Sequence, residues 1–308
     1  MKSILYLTIL FSGLFLLSCN ESGPIPETPE ESGSYRLNIQ TVNPGIQIHS
    51  RSEIKLGDPV YAYPFRVNDS YDGVPVSPDS IRGNYYSYIM PARQQDIIFT
   101  NLLSQVENEY LTEVNHTDYY LKISLGDSLS GSPEDLVIGT LSANDQPDST
   151  QTYPVELVRQ TAELSIGLKA LRKSGDTIND LSAYFTRACL YVGPLHSTCT
   201  VDPELNVFTS GEIVLKFETP VMATREQILC ENRFSFPSPA EKNPELKLRL
   251  EYPNGNLLDV SARMTHPLEA NNHYKLTLIL KQKTSEFEFN LEDFTEEKIE
   301  VGDFIQKN

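Results

Sequence analysis

Thiols, imidazoles, carboxylates and hydroxyls carry most protein chemistry, and in this chain they seldom fall at spacings that chemistry uses. Cys189, His196 and Cys199, with Cys230 as a possible fourth, are zinc-ligand types, but six residues and then two separate the first three. Zinc sites do not usually take that spacing. Glu113, His116 and Asp118 also gather, on a polar stretch around Asn115-His116-Thr117 that reads as a turn. Gly126-Asp127-Ser128-Leu129-Ser130-Gly131 misses the Gly-x-Ser-x-Gly nucleophile elbow by one position and lacks its strand-turn-helix setting. Glu286 and Glu288 alternate with Phe287 and Phe289, so the pair belongs to the solvent face of a strand rather than a cleft. Neither a phosphate-cradling glycine loop nor a His-Glu-x-x-His helix occurs. The expectation is a protein without enzyme activity, metal or cofactor.

The residue best placed for covalent modification is Cys19. Lys2 precedes an apolar run from Ile4 to Leu17, and Leu16-Leu17-Ser18-Cys19 closes it. A basic start, a short apolar stretch and a small residue before the cut define a secretion signal, and the run is too short for a membrane span. The ending resembles the bacterial lipobox, in which the cysteine is acylated and becomes the first mature residue. Each buried methylene contributes ~0.8 kcal/mol, so several chains on one cysteine hold a protein stably in a bilayer. Residues 1–18 are thus read as a lipoprotein signal peptide. Residues 19–33, rich in proline and glutamate and free of aromatics, are read as a disordered tether. No later stretch is apolar enough to span, so attachment to the membrane is expected through lipid only.

The formal net charge is -17 over 308 residues. Lys2 is the only charge lost with the signal, which makes the mature chain still more acidic. That field has the wrong sign for nucleic acid, which is excluded as a partner. Once Cys19 carries lipid, three cysteines remain, and export allows one disulfide among Cys189, Cys199 and Cys230. Cys189 and Cys199 flank the turn signal Gly193-Pro194, and a hairpin there would face them across two strands. Buried free thiols acting as small apolar residues are the other reading.

Period-two alternation dominates the chain. Tyr35-Leu37-Ile39-Thr41, Tyr61-Tyr63-Phe65 and Tyr119-Leu121-Ile123 alternate with smaller or polar residues, and Tyr85–Met90 and Asp96–Phe99 are short β-type runs. After a stretch rich in Gly, Ser, Asp and Pro, alternation resumes at Val155 and Leu157 and runs through Leu168. Further candidates are 183–192, 212–217, 226–236, 246–252, 257–264 and 274–281. Pro253-Asn254-Gly255-Asn256 is the clearest hairpin turn. The fold class is therefore all-β, with two antiparallel β-sandwiches of the transthyretin-like kind in tandem, at 34–149 and 150–308.

Three stretches resemble the fimbrillin superfamily, the subunits and anchors of fimbriae built by donor-strand exchange. They are Tyr88-Ile89-Met90-Pro91-Ala92 followed by Asp96-Ile97-Ile98-Phe99-Thr100-Asn101, the segment Tyr153–Leu164, and the tail Phe289-Asn290-Leu291-Glu292-Asp293-Phe294. Family members often carry Trp where this chain has Phe294. The resemblance implies a lipid-anchored fimbrial anchor or minor subunit on the outer membrane, at the cell surface, whose partners are other fimbrial subunits joined by β-strand addition. The candidate donor-strand residues are Phe287, Phe289 and Leu291, then Ile299 and Val301 beyond the acidic break at Glu296-Glu297. Subunits of the family are processed after an arginine. Arg36 and Arg51 lie near the first strands, although Arg36 reads as a solvent-facing strand residue. Asp-Ser/Thr triplets make Ser80, Ser128, Ser149 and Thr177 candidate O-glycosylation sites in loops. A glycan-binding surface lipoprotein of the same architecture is the alternative, given 16 tyrosines and 13 phenylalanines but no tryptophan.

Overall fold

A computed structural model describes residues 34–42, 59–65, 74–90, 95–102, 110–116, 118–125, 135–145, 151–283 and 288–300. These form strands throughout, with 3₁₀ turns at Ala143–Asp145 and Leu181–Ala183 and no longer helix among the described residues. Strands are numbered in chain order. The first sheet runs β3 (Ser80–Arg82), β4 (Tyr85–Met90), β1 (Tyr35–Thr41), β9 (Thr152–Val155). The second runs β10 (Val158–Arg159), β8 (Val137–Leu141), β5 (Asp96–Thr100), β2 (Tyr61–Phe65). The third is β14 (Val207–Ser210), β13 (Thr198–Val201), β7 (Tyr119–Leu125), β6 (Tyr110–His116). The fourth is β16 (Glu226–Ser235), β11 (Ala162–Leu171), β19 (Asn272–Gln282), β20 (Phe289–Glu300). The fifth is β15 (Ile213–Pro220), β12 (Arg187–Leu195), β17 (Glu245–Glu251), β18 (Leu257–Arg263). Ladders are antiparallel except β1 with β9 and β11 with β19, which are parallel and joined by the long crossovers such pairs require.

Two hydrophobic clusters result. Leu37, Ile39, Tyr86, Tyr88 and Met90 of the first sheet meet Ala62, Ile97, Phe99 and Val137 of the second. The opposite face of that second sheet offers Tyr63, Phe65, Ile98 and Ile138 to the larger cluster, which also fills the space between the fourth and fifth sheets. A sheet covered on both faces reads as an unbroken apolar run, and every residue of β5 is indeed buried. Phe65 stacks on Tyr120 of β7 with centroids 4.7 Å apart, and the Tyr120 hydroxyl donates to Asp96 at 3.2 Å.

The chain enters the fourth sheet past a buried polar knot. Arg159 donates from Nε and Nη2 to Asp135 Oδ2 at 3.1 and 2.7 Å, and the Thr161 hydroxyl donates to Oδ1 at 2.9 Å. Both charged side chains are under 5% exposed. Burial pushes the Asp135 carboxyl up, against the opposing pull of Arg159, Thr161 and the Leu136 N–H. The Arg159 guanidinium lies 5.8 Å from the centre of the Phe234 ring, so the knot reaches from β10 to β16. β9 and β10 belong to the first two sheets, and Ala162 is the first residue of the fourth.

Some local expectations are corrected. Residues 193 and 194 make no turn: β12 runs on to Leu195, and its register against β15 slips between Val192 and Leu195. A slip there accommodates a proline, which has no N–H to give the ladder. Glu113 lies in a strand rather than a loop, since Tyr110–His116 pairs with Tyr119–Leu125 as a hairpin. Ser80 opens β3 rather than lying in a loop. The turn at residues 253–256 is where alternation placed it, with Gly255 at φ 82° and its N–H donating to the Tyr252 carbonyl at 2.9 Å.

Candidate functional site

The carboxyl-terminal strand is the element the tail reading requires, and it lies at a sheet edge. Among the described residues β20 pairs with β19 alone, antiparallel from Asn272↔Glu300 to Gln282↔Phe289. β19 brings Tyr274, Leu276, Leu278 and Leu280 to the core by strict alternation. An irregularity at Ile279/Leu280 leaves Glu292 without a partner in the ladder and changes which tail residues face inward. Ahead of it Phe289 is buried and Leu291 half-buried; beyond it Glu296 turns inward, paired with Leu276.

Two contacts hold this strand. Phe289 is 2% exposed and sits edge-on to Tyr184 at 5.4 Å and tilted against Phe185 at 5.2 Å, with Tyr252 behind Phe185 at 5.1 Å. Tyr184 and Phe185 are positioned by the 3₁₀ turn Leu181–Ala183, whose cap Asp180 accepts from the Ser182 N–H at 3.0 Å. At the other end the Glu296 side chain, 5% exposed, accepts from the Thr265 N–H at 2.7 Å and the Thr265 hydroxyl at 2.9 Å. His266 Nδ1 lies 3.3 Å from its second oxygen. Between these ends the strand is polar, with Glu288, Asn290, Glu292, Asp293 and Thr295 exposed and Lys281 bound to Glu292 at 2.6 Å. An acidic, charged rim discourages indiscriminate strand pairing, and among the described residues no strand pairs with the outer side of β20. Among the described residues no ladder other than β19–β20 includes this strand.

Neither Glu296 nor the Tyr184–Phe185 socket was singled out by sequence. Glu296 reads as part of an acidic break, and only the extra residue in the ladder turns it inward. Ile299 pairs with His273 in the same ladder. β1, by contrast, lies between β4 and β9, with Arg36 on its exposed face donating to Asp79 at 2.8 Å and to Ser87 at 3.0 Å.

The remaining sites are placed as follows. Cys19, Arg51, Ser128, Ser149, Phe287 and Val301 lie outside the described residues. Ser80 and Thr177 are exposed. Cys189, Cys199 and Cys230 are free and buried, on β12, β13 and β16 of three different sheets, so no disulfide joins them. Burial pushes the Cys199 and Cys230 thiols up to about 12. His196 Nδ1 is 3.1 Å from the Gly211 carbonyl, and the Tyr119 hydroxyl donates to Glu113. Among the described residues no group of three His, Cys, Asp or Glu side chains is arranged to hold a metal ion.

A profile of the fimbrillin-A associated anchor proteins Mfa1 and Mfa2 matches residues 27–191, just over half of the chain. No curated protein matches significantly in sequence. Among solved structures, a protein described as an adhesin from Bacteroides thetaiotaomicron aligns with TM-score 0.53 and 11% identity, over 88% of this chain and all of its own. The fimbrial anchor protein Mfa2 from Porphyromonas gingivalis aligns with TM-score 0.47 and 9% identity, over 85% of this chain and 97% of its own. A protein described as a cell adhesion protein from Bacteroides uniformis gives 0.46 and 12%, over 86% and 98%.

Proposed function

The chain belongs to the family of fimbrillin-A associated anchor proteins, and on that premise we propose that it fixes a fimbria to the outer membrane. Lipid on Cys19 holds the membrane end, and the tail joins the neighbouring subunit by strand addition. The observation that carries the second half is the edge position of β20, bound to β19 on one side only and seated by Phe289 at one end and Glu296 at the other. β-augmentation needs an extended segment whose backbone is free to pair and whose alternate side chains enter pockets. Phe289 and Leu291 are such side chains. Burying a Phe-sized side chain contributes about 1.5–3 kcal/mol, small enough for a matching groove on another subunit to compete for it.

In this reading the sandwiches are a scaffold rather than a catalytic body, and residues 19–33 set the reach from the lipid. The halves 34–149 and 150–308 are proposed as its two building blocks, with β9 and β10 of the second half completing the sheets of the first. Ser80 and Thr177 are exposed enough to accept the O-glycans proposed for them. The test of the anchor is fractionation: full chain in the outer membrane and surface-accessible, Cys19→Ala in the soluble fraction. Cys19→Ala remaining membrane-bound would refute it.

A further inference from the structure

Among the described residues two ladders are parallel, β1 with β9 and β11 with β19, and both lie where tension along the chain would pass. Tension is taken to enter β1 through residues 19–33 and to leave through the tail, which rests on the anchoring proposed above. It crosses from β1 to β9 by their ladder, and the backbone carries it from Val155 through β10 into β11 at Ala162. A second ladder carries it to β19, which it leaves at Gln282 for the tail.

Strand direction decides how each ladder meets that load. The first is in register from Asn38↔Thr152 to Thr41↔Val155, so the loaded end of β1 and the exit from β9 lie at opposite ends of the pair. The second runs from Glu163↔His273 to Leu171↔Lys281 and is loaded at the start of β11 and the end of β19, again at opposite ends. Tension therefore drives the strands of each pair past one another along their own axes. The evenly spaced bonds of a parallel ladder must then all stretch together, whereas a ladder pulled open from one end gives way pair by pair. Sliding also disrupts packing, because a slip of one residue carries the core face of a strand to the solvent face. Leu37 and Ile39 of β1, Leu164 and Ile166 of β11, and Leu276 and Leu278 of β19 are all buried. β1 is held on its other side by β4, and the Val42 N–H donates to the Val155 carbonyl at 2.9 Å just past the first ladder. Between the ladders, the Gln160 N–H donates to the Leu136 carbonyl at 2.8 Å, beside the buried Arg159–Asp135 pair.

β20 is loaded the other way. It is antiparallel to β19, so Glu300 lies beside Asn272, at the end of the sheet where β11 begins. Pull on Glu300 peels the tail from β19 one pair at a time, past Glu296 and then Phe289, until the load reaches Gln282. We infer that the chain is a tension-bearing link with a yielding tail: β20 unzips at low force, and the two parallel ladders, loaded in shear, keep the body closed at higher force. Forced unfolding is governed by the rate of unfolding rather than by equilibrium stability, so the direction of pull alone changes the force at which one ladder breaks.

The test is single-molecule pulling of the detergent-solubilised full chain, with handles coupled to p-azidophenylalanine introduced at residues 34 and 283, 34 and 151, or 34 and 300. Ser34, Gln151 and Lys283 are exposed. Handles at 34 and 283 load both parallel ladders in shear, whereas 34 and 151 sit at one end of the first ladder and peel β9, the edge strand of its sheet. Rupture between 34 and 283 is expected at a force at least twofold higher than between 34 and 151, at the same loading rate. Pulling between 34 and 300 is expected to give two steps, a low-force release of residues 289–300 and then rupture at the 34–283 force. Glu296→Ala should lower the force of the first step and leave the second where it was. Rupture between 34 and 283 at no higher force than between 34 and 151, or release of the tail only together with the body, would overturn the assignment. The forces are read on the isolated chain, so a Cys19→Ala chain that stayed membrane-bound would refute the anchoring and leave them standing, whereas equal forces would refute the shear-loaded link and leave the anchoring intact.

Discussion

Replacing Glu296 with alanine should loosen the carboxyl-terminal strand and nothing else. The carboxylate accepts two hydrogen bonds from Thr265, at 2.7 and 2.9 Å, from a side chain only 5% exposed. Hydrogen bonds to charged groups contribute ~1.5–3 kcal/mol each. Thr265 itself is exposed, so water recovers part of that when the carboxylate is gone, and His266, 64% exposed, adds nothing to the sum. The loss is therefore about 2 kcal/mol, which is roughly 30-fold in the equilibrium between seated and released strand. Glu296→Gln keeps an acceptor and loses only the charge, so its effect is expected to be several-fold smaller. Hydrogen exchange read by mass spectrometry separates the outcomes. Peptides covering 289–300 should exchange about 30-fold faster in the alanine variant, while peptides covering β11, at the centre of the same sheet, keep their protection. Unchanged exchange in the tail would refute the clasp. Equal acceleration in β11 would mean that the strand leaves only when the whole sheet unfolds.

Further outcomes follow from the buried groups. Arg159→Ala strands the Asp135 carboxyl in the interior and should cost about 3–5 kcal/mol in denaturant titration, whereas an Asp135→Leu/Arg159→Met double variant should recover most of it. Phe289→Ala empties the socket against Tyr184 and Phe185, with an expected loss of ~3–5 kcal/mol of tail seating and selective release of residues 289–300 in limited proteolysis. Cys199 and Cys230, pushed up to about 12, should resist iodoacetamide at pH 8 in the native state, where only about 10⁻⁴ of each is thiolate, and label fully in guanidinium. The sign follows from linkage. Their folded values lie above the unfolded ~8.5, so the stability they contribute is complete below about pH 8.5 and is lost as pH rises toward 12. Alkaline melts of Cys230→Ala should therefore show a shallower fall in Tm over that interval than the parent chain.

Alternation carried the reading where one face of a strand is buried and the other wet. β17 and β18, with Leu246, Leu248 and Leu250 inward and Gly255 in the turn between them, were legible to within a residue or two. β13 and β14 were not. Each has four residues, and the link between them folds on Asp202, which accepts from the Glu204 and Asn206 N–H groups, with Leu205 at φ 64°, a conformation no composition rule assigns to leucine. The parallel pairings of β1 with β9 and β11 with β19 join segments far apart in the chain, and local pattern says nothing of such partners. In the tail, the apolar positions Phe289 and Leu291 were readable, but the inward turn of Glu296 depends on one extra residue at Glu292, a matter of register with β19.

The central claim, that the tail joins the fimbria while lipid on Cys19 holds the membrane, is tested most directly by removing residues 289–308 and measuring where fimbriae are found. Fimbriae shed into the medium, with the truncated chain still in the membrane fraction, are the expected outcome. Fimbriae still attached to cells, with the truncated chain folded and surface-exposed, would contradict it.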